Sequence, residues 1–309
     1  MKRCPITYEI IPETENYSKQ GLKLLSPKLS DLKILALSAE ELRREAIARA
    51  PKMSLQGVQP KLSAILNVKQ NQFDIVNQQG RFILKPQSLD FPELPENEAI
   101  SMTLAKTMGL EVPLHGLLYA KDRSLTYFIK RFDRQAHTKF PQEDFAQLSN
   151  KNRETKYRSS MEKVAKILAL CTFPNIEAIK LFKLVIFNFL IGNEDAHLKN
   201  FSLITKNNKI ILSPTYDLLN TTIAMPGKVK EELALTLNGK KNNLTRKDFV
   251  DYFGINLLKI NLHVIQHILA DIQQKSALWE KQIKASFLSE NMQTKYLDLL
   301  KERFQRLGF

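Results

Sequence analysis

The sequence predicts an α+β fold in two lobes, a small β-rich one over residues 1–132 and a larger, mostly helical one over 133–309. Three observations predict it. From about residue 53 to 132, short apolar or alternating runs (KLSAILNV, QFDIVN, RFILK, GLLYA, LTYFIKRF) are separated by turn-formers such as NQQG at 77–80 and KDR at 121–123. Beyond residue 140 the apolar period lengthens to that of helices, in YRSSMEKVAKILALC, in IEAIKLFKLVIFNFLIG and in three amphipathic segments from about 245 to 307. The helical half has one β interruption, 201–244, where FSLI and KIILS flank KNN at 206–208 as a hairpin and Asn238-Gly239 marks a second turn.

The elements follow in order. The opening residues, through LSPKLSDLKILALS, hold no long periodic segment. Ser38-Ala-Glu-Glu41 reads as a capping box that opens the helix ELRREAIARA, which Pro51 must end. The strands that come next are expected to form an antiparallel meander. Within them ENEAISMTLAKTMG places Ile100, Leu104 and Met108 on one helical stripe and stops at Gly109. The longest apolar run, near 184–191, is interrupted upstream by Lys183 and is too short to span a bilayer.

Composition narrows the function classes. A chain of 309 residues can bury a substantial core in each lobe, and scarce Gly and Pro argue against disorder. MKRCPITYEI lacks the apolar stretch of a signal peptide. Cys4 and Cys171 stand far apart without CxxC or His partners, so neither a disulfide framework nor a structural zinc fits, and a reducing cytoplasm is expected. The formal charge of +14 favours acidic partners, but the basic residues are spread along the chain and no zinc-finger, RNP or basic-zipper pattern accompanies them.

A small β lobe followed by a larger helical lobe with an inserted hairpin is the arrangement of a nucleotide-clamping kinase. GNEDAHLKN, residues 192–200, suits such a protein. A kinase catalytic loop carries an Asp that accepts the proton of the attacking hydroxyl and, five residues on, an Asn that ligates magnesium; Asp195 and Asn200 have that separation. His197 and Lys199 are placed to offset charge on the transferred phosphoryl group. A second metal carboxylate is expected beyond the hairpin, where Tyr216-Asp217-Leu218 stands in place of DFG. Upstream, SLQGVQPK at 54–61 offers Gly57 and backbone N–H groups to phosphate oxygens. Lys85, at the end of FILK, is positioned to reach phosphates, with Glu98 or Glu96 to hold it. An edge strand ending in Lys130-Arg131-Phe132 would present its backbone to adenine, with Phe132 as apolar cover or simply core.

SLQGVQPK, ENEAI, KRFDR, PQEDFAQL, KYRSS, GNEDAHLKNFSL and SPTYDLLNT occur in this order, and together they resemble the HipA family of serine/threonine kinase toxins from bacterial toxin–antitoxin systems. The resemblance runs from about residue 50 to the end of the C-terminal helices. It implies a bilobal protein-kinase-like fold that uses ATP and Mg²⁺, with Asp195 as the catalytic Asp assisted by His197 and Lys199. It further implies nucleotide contacts from Gln56, Gly57, Val58, Gln59, Pro60 and Lys61 in the phosphate loop, from Lys85, and from Lys130, Arg131 and Phe132. His197, Leu198, Lys199, Asn200, Tyr216 and Asp217 complete that set, with Asn200 and Asp217 on the metal. Ser54 matches the family's autophosphorylation position, where added negative charge would repel ATP.

The resemblance also implies phosphorylation of an aminoacyl-tRNA synthetase, growth arrest, and neutralisation by a DNA-binding antitoxin, with nucleic acid met only through that antitoxin and no membrane involved. The phosphate loop begins at residue 54, too early to follow the N-terminal subdomain of full-length members, so the chain resembles the short HipT-like form in which that part is a separate partner protein. Where longer members often have Glu-Arg-Phe at the hinge, this chain has Lys130-Arg131-Phe132, which leaves a backbone contact without the carboxylate. Two other readings stay open: a lipid or small-molecule kinase, which Asp-x-His-x-x-Asn also suits, and a non-catalytic protein docked by its charge on nucleic acid or an antitoxin.

Overall fold

Strand-forming runs with one face apolar pair into a single antiparallel sheet of five: β1 (Leu62–Asn67), β2 (Gln72–Ile75), β3 (Phe82–Lys85), β4 (His115–Tyr119) and β5 (Leu125–Lys130). The computed structural model describes residues 2–49, 59–135, 138–225 and 231–309. The strand order is β2-β1-β3-β5-β4, which departs from the expected meander. After the β1–β2 hairpin the chain returns on the other side of β1 as β3. The helix α3 (Leu94–Met108) is then inserted, which lets the chain re-enter at the sheet edge as β4 and fold back as β5 between β4 and β3.

Two earlier helices, α1 (Lys19–Leu25) and α2 (Ala39–Arg49), join the sheet in one core. Leu22, Leu25, Leu42 and Ala46 pack with Leu62, Leu84 and the aromatic trio Phe73, Phe82 and Phe128. Phe73 meets Phe82 edge-on at 5.1 Å. The capping box forms as read: Glu41 N–H donates to Ser38 Oγ at 3.3 Å and Ser38 N–H to Glu41 Oε2 at 2.8 Å. Pro51, expected to end α2, lies outside the described residues. Ile100, Leu104 and Met108 are fully buried, and Gly109 ends α3 at φ +88°.

The chain divides into two compact units, one of residues 1–100, 113–131 and 284–288, the other of 101–112, 132–283 and 289–309. The second is mostly helical. A short ribbon, β6 (Arg134–Gln135) with β7 (Thr138–Lys139), leads to β8 (Gln142–Asp144) and α4 (Phe145–Leu148), then α5 (Met161–Ile167) and α6 (Pro174–Leu190). The run LVIFNFLI proves to be the last turns of α6 and its cap, and Leu184 to Ile191 are all buried, so the second half of the helix is enclosed by core on every side. Phe182, Phe187 and Phe189 meet Phe253, Trp279 and Phe249 with ring centroids 6.2, 5.7 and 4.8 Å apart. Each such burial contributes roughly 1.5–3 kcal/mol.

β9 (Ser202–Lys206) and β10 (Lys209–Leu212) form the expected hairpin, with Asn207 and Asn208 both at positive φ as a two-residue turn requires. They build a second sheet of order β10-β9-β8, in which β8, not anticipated, pairs with β9. The Asn238-Gly239 turn closes only a single bridge, Leu237 with Lys240. After α7 (Thr221–Ala224), the C-terminal part holds four helical segments rather than three: a π-wound helix Asp248–Leu257, α8 (Leu262–Ser276), α9 (Trp279–Ala285) and α10 (Glu290–Leu307). No described helix is long and apolar enough to cross a membrane.

Candidate active site

α6 delivers the GNED segment directly from the core. Gly192, which follows the cap residue Ile191, turns the chain at φ +67°, and a Cβ there would meet Leu299 and Thr222 side-chain atoms at 2.5 Å. The Gly192 carbonyl accepts the Thr221 and Thr222 hydroxyls at 3.0 and 3.2 Å, while Thr221 Oγ1 accepts the Glu194 N–H at 2.8 Å. Asn193 is buried, donates to Asn188 Oδ1 at 2.9 Å and reaches the Asp217 carbonyl at 3.5 Å. The two strings singled out in the sequence, GNEDAHLKN and YDLLNT, are thus laced together side by side.

That lacing fixes the functional side chains. Asp195 accepts a hydrogen bond from the Tyr157 hydroxyl on Oδ1, its carbonyl receives the His197 N–H at 2.8 Å, and the His197 carbonyl receives the Asn200 N–H at 2.9 Å. His197 is buried, its Nδ1 has no hydrogen-bond partner among the described residues, and burial pushes its pKa down against the opposing pull of Asp195. The carboxylates of Asp195 and Asp217 both act electrostatically on His197 and on Lys156. Asp217 sits at φ +55°, a left-handed conformation that Asp tolerates better than most residues.

Asn200 Oδ1 is a buried acceptor with no partner among the described residues. An orphaned buried amide oxygen is the kind of donor a hard cation such as Mg²⁺ takes, since that ion prefers oxygen ligands and keeps some waters. Among the described residues no group of three or more His, Cys, Asp and Glu is gathered for a metal, so the fit rests on one amide and one carboxylate, Asn200 and Asp217.

Other residues of the loop have structural engagements. Lys199 Nζ donates to Asp144 Oδ2 at 2.7 Å, and Asp144 also caps α4 through the Gln147 N–H. Leu198 is fully buried. The Tyr216 hydroxyl donates to the Lys199 carbonyl at 2.9 Å and meets the Ser202 hydroxyl, and its ring packs on Phe132 at 5.6 Å. Burial drives the Tyr216 pKa well up, so it stays a phenol.

In the first unit, Lys85 is buried and donates to both oxygens of Glu98 at 2.7 and 2.9 Å, with its ammonium 5.6 Å from the Tyr127 ring centroid. The open choice is thereby decided for Glu98; Glu96 instead accepts the Gln87 amide on both oxygens. The expected edge strand at the hinge is interior. β5 lies between β3 and β4, and the amides of Lys130 and Arg131 already donate to the carbonyls of Leu114 and Arg81. Gln59, Pro60 and Lys61 lead into β1 and are partly buried, whereas Ser54, Gln56, Gly57 and Val58 lie outside the described residues.

A sequence model described as the HipA-like C-terminal domain matches residues 53–279, well over half of the chain. The chain belongs to the HipA-like family. A Haemophilus influenzae protein named "Putative kinase" is 31% identical over 94% of this chain and 93% of its own length. The serine/threonine-protein kinase toxin HipA of Shewanella oneidensis is 27% identical over 69% of this chain, which spans only 54% of that protein. Among solved structures, HipA from the Shewanella oneidensis complex of HipA, HipB and operator DNA superposes with a TM-score of 0.68 at 21% identity, over 91% of this chain and 74% of that one. That likeness establishes the fold as α+β and protein-kinase-like.

Within this HipA-like domain, several residues that build the site were not singled out from the sequence. Gly192, Asn193, Thr221 and Thr222 carry the lacing, and Tyr157 reaches Asp195 across 38 positions. The only sequence signal for Tyr157 was its place in KYRSS.

Proposed function

We propose that this chain is an ATP- and Mg²⁺-dependent serine/threonine protein kinase and the toxin of a toxin–antitoxin pair. The observation that carries the reading is that the segment bearing Asp195 and Asn200, whose buried Oδ1 has no partner among the described residues, is hydrogen-bonded to the segment bearing Asp217. Asp195 is the group that accepts the proton of the attacking alcohol. Asn200 and Asp217 are the ligands for Mg²⁺, which when bound neutralises charge on the phosphates. His197, kept neutral by burial, is a nucleotide contact without adding charge beside the metal site. Lys85, oriented by Glu98, serves the nucleotide phosphates. Ser54 is the proposed autophosphorylation site.

The named relatives support the partner class. Shewanella HipA is seen with HipB and operator DNA, and by analogy this chain is neutralised by a DNA-binding antitoxin. The proposed substrate is an aminoacyl-tRNA synthetase. Purified chain incubated with γ-labelled ATP, Mg²⁺ and cell lysate should label a synthetase-sized protein, and Asp195→Ala should abolish labelling and growth arrest. Equal labelling by both proteins, or salt-sensitive DNA retention with no labelling by either, would overturn the kinase reading.

A further inference from the structure

The string KYRSS is left without a role by the reading above, yet its first two residues are docked on the catalytic loop. The Lys156 carbonyl accepts the Leu198 N–H at 3.4 Å. The Tyr157 ring stands edge-on to the His197 ring, centroids 4.9 Å apart at 81°, and the Lys156 ammonium lies 4.9 Å from the Tyr157 centroid. The Tyr157 hydroxyl then donates to Asp195 Oδ1. One contact thus anchors the backbone beside the ring, two hold the ring itself, and the fourth fixes the carboxylate.

We infer that Tyr157 is a positioning residue for phosphoryl transfer, holding one oxygen of Asp195 so that the other faces the incoming alcohol. The inference rests on the kinase reading. An Asp carboxylate turns about the Cα–Cβ and Cβ–Cγ bonds, and only some orientations point an oxygen at the nucleophile; a fixed phenolic donor on Oδ1 selects the orientation and leaves Oδ2 with its lone pairs available. In the step itself the alcohol oxygen forms a bond to the γ-phosphorus, the bond from that phosphorus to the departing ADP oxygen breaks, and the alcohol proton passes to Asp195 Oδ2. The phenol must keep its own proton throughout. Burial and its bond to Asp195 push its pKa up, so it does. Tyr157 keeps 40% of its surface exposed, so a face of the residue beside Asp195 stays open to solvent.

The test compares wild type, Asp195→Ala, Tyr157→Phe and Tyr157→Ala in Mg²⁺-ATP turnover, read as phosphate release and as label incorporated into a Ser/Thr peptide library. Phe keeps the ring against His197 and removes only the donor. The expected result is a kcat lowered about 10–100-fold in Tyr157→Phe, the scale seen when a partner that orients an active group is removed. KM for ATP should stay within about twofold and the melting temperature should be unchanged, which separates positioning from a general structural role. A Phe variant as fast as wild type with only the Ala variant impaired would overturn the inference in favour of ring packing. A faster Phe variant would overturn it by showing that the hydroxyl obstructs the acceptor. Wild type no faster than Asp195→Ala would sink the kinase reading and the inference with it, whereas an active wild type matched by Tyr157→Phe sinks the inference alone.

Discussion

Lys85 and Glu98 form an ion pair in which both side chains are about nine-tenths or more buried, the ammonium reaching both carboxylate oxygens. Removing the acid alone takes away both carboxylate bonds to a buried cation. Glu98→Ala should therefore cost about 3–5 kcal/mol, measured by urea unfolding, while the double variant Lys85→Met with Glu98→Leu should cost clearly less. Equal costs would mean that the pair is solvated.

Gly192 combines positive φ with contact to Thr222 and Leu299. Gly192→Ala strains the backbone and pushes on the residues that lace the two motifs. We expect a stability loss of about 1–3 kcal/mol with turnover lowered at the same time. Unchanged stability would contradict the close approach.

Asn200 presents a buried oxygen with no partner among the described residues. If that oxygen is for a metal, Asn200→Ala should raise the Mg²⁺ concentration for half-maximal turnover at least about 10-fold. Asp195→Asn, which lowers the rate at the proton acceptor, should leave that concentration unchanged.

Glu96 is held by the Gln87 amide, and burial pushes its pKa up to about 7. The folded state thus binds a proton that the unfolded chain releases near 4.5. The stabilisation this supplies is complete below the unfolded pKa and is lost as pH rises through about 7, a contribution of about 3 kcal/mol. Wild type should lose stability between pH 5 and 8 relative to Glu96→Gln, whose curve should lack this slope. Parallel curves would show that Glu96 is ionised.

Lys199 was expected beside the phosphoryl group, and the structure gives its ammonium to Asp144. Both groups are partly exposed, so Lys199→Ala should cost at most about 1 kcal/mol. Its turnover should fall far less than that of Asp195→Ala. A loss as large as at Asp195 would return Lys199 to the chemistry.

The sequence by itself determined the strands β1 to β5 and the helices α2, α3, α5 and α6, the Asn207-Asn208 turn, the buried stripe Ile100, Leu104 and Met108, and the order in which Asp195, Asn200 and Asp217 arrive, but not α1, β8 or the fourth C-terminal helical segment. Those features are local: periodicity reports which face is buried, and turn residues report backbone conformation within a few positions. Only the tertiary structure decided that Glu98 and not Glu96 meets Lys85, because two residues apart on a helix they point about 200° from each other and only packing chooses the face. It likewise decided that Lys199 goes to Asp144, 55 residues away, that Tyr157 comes to Asp195, and that β5 is interior. A side chain's chemistry is written at its own position, but its partner is set by long-range packing, which no short stretch of sequence records.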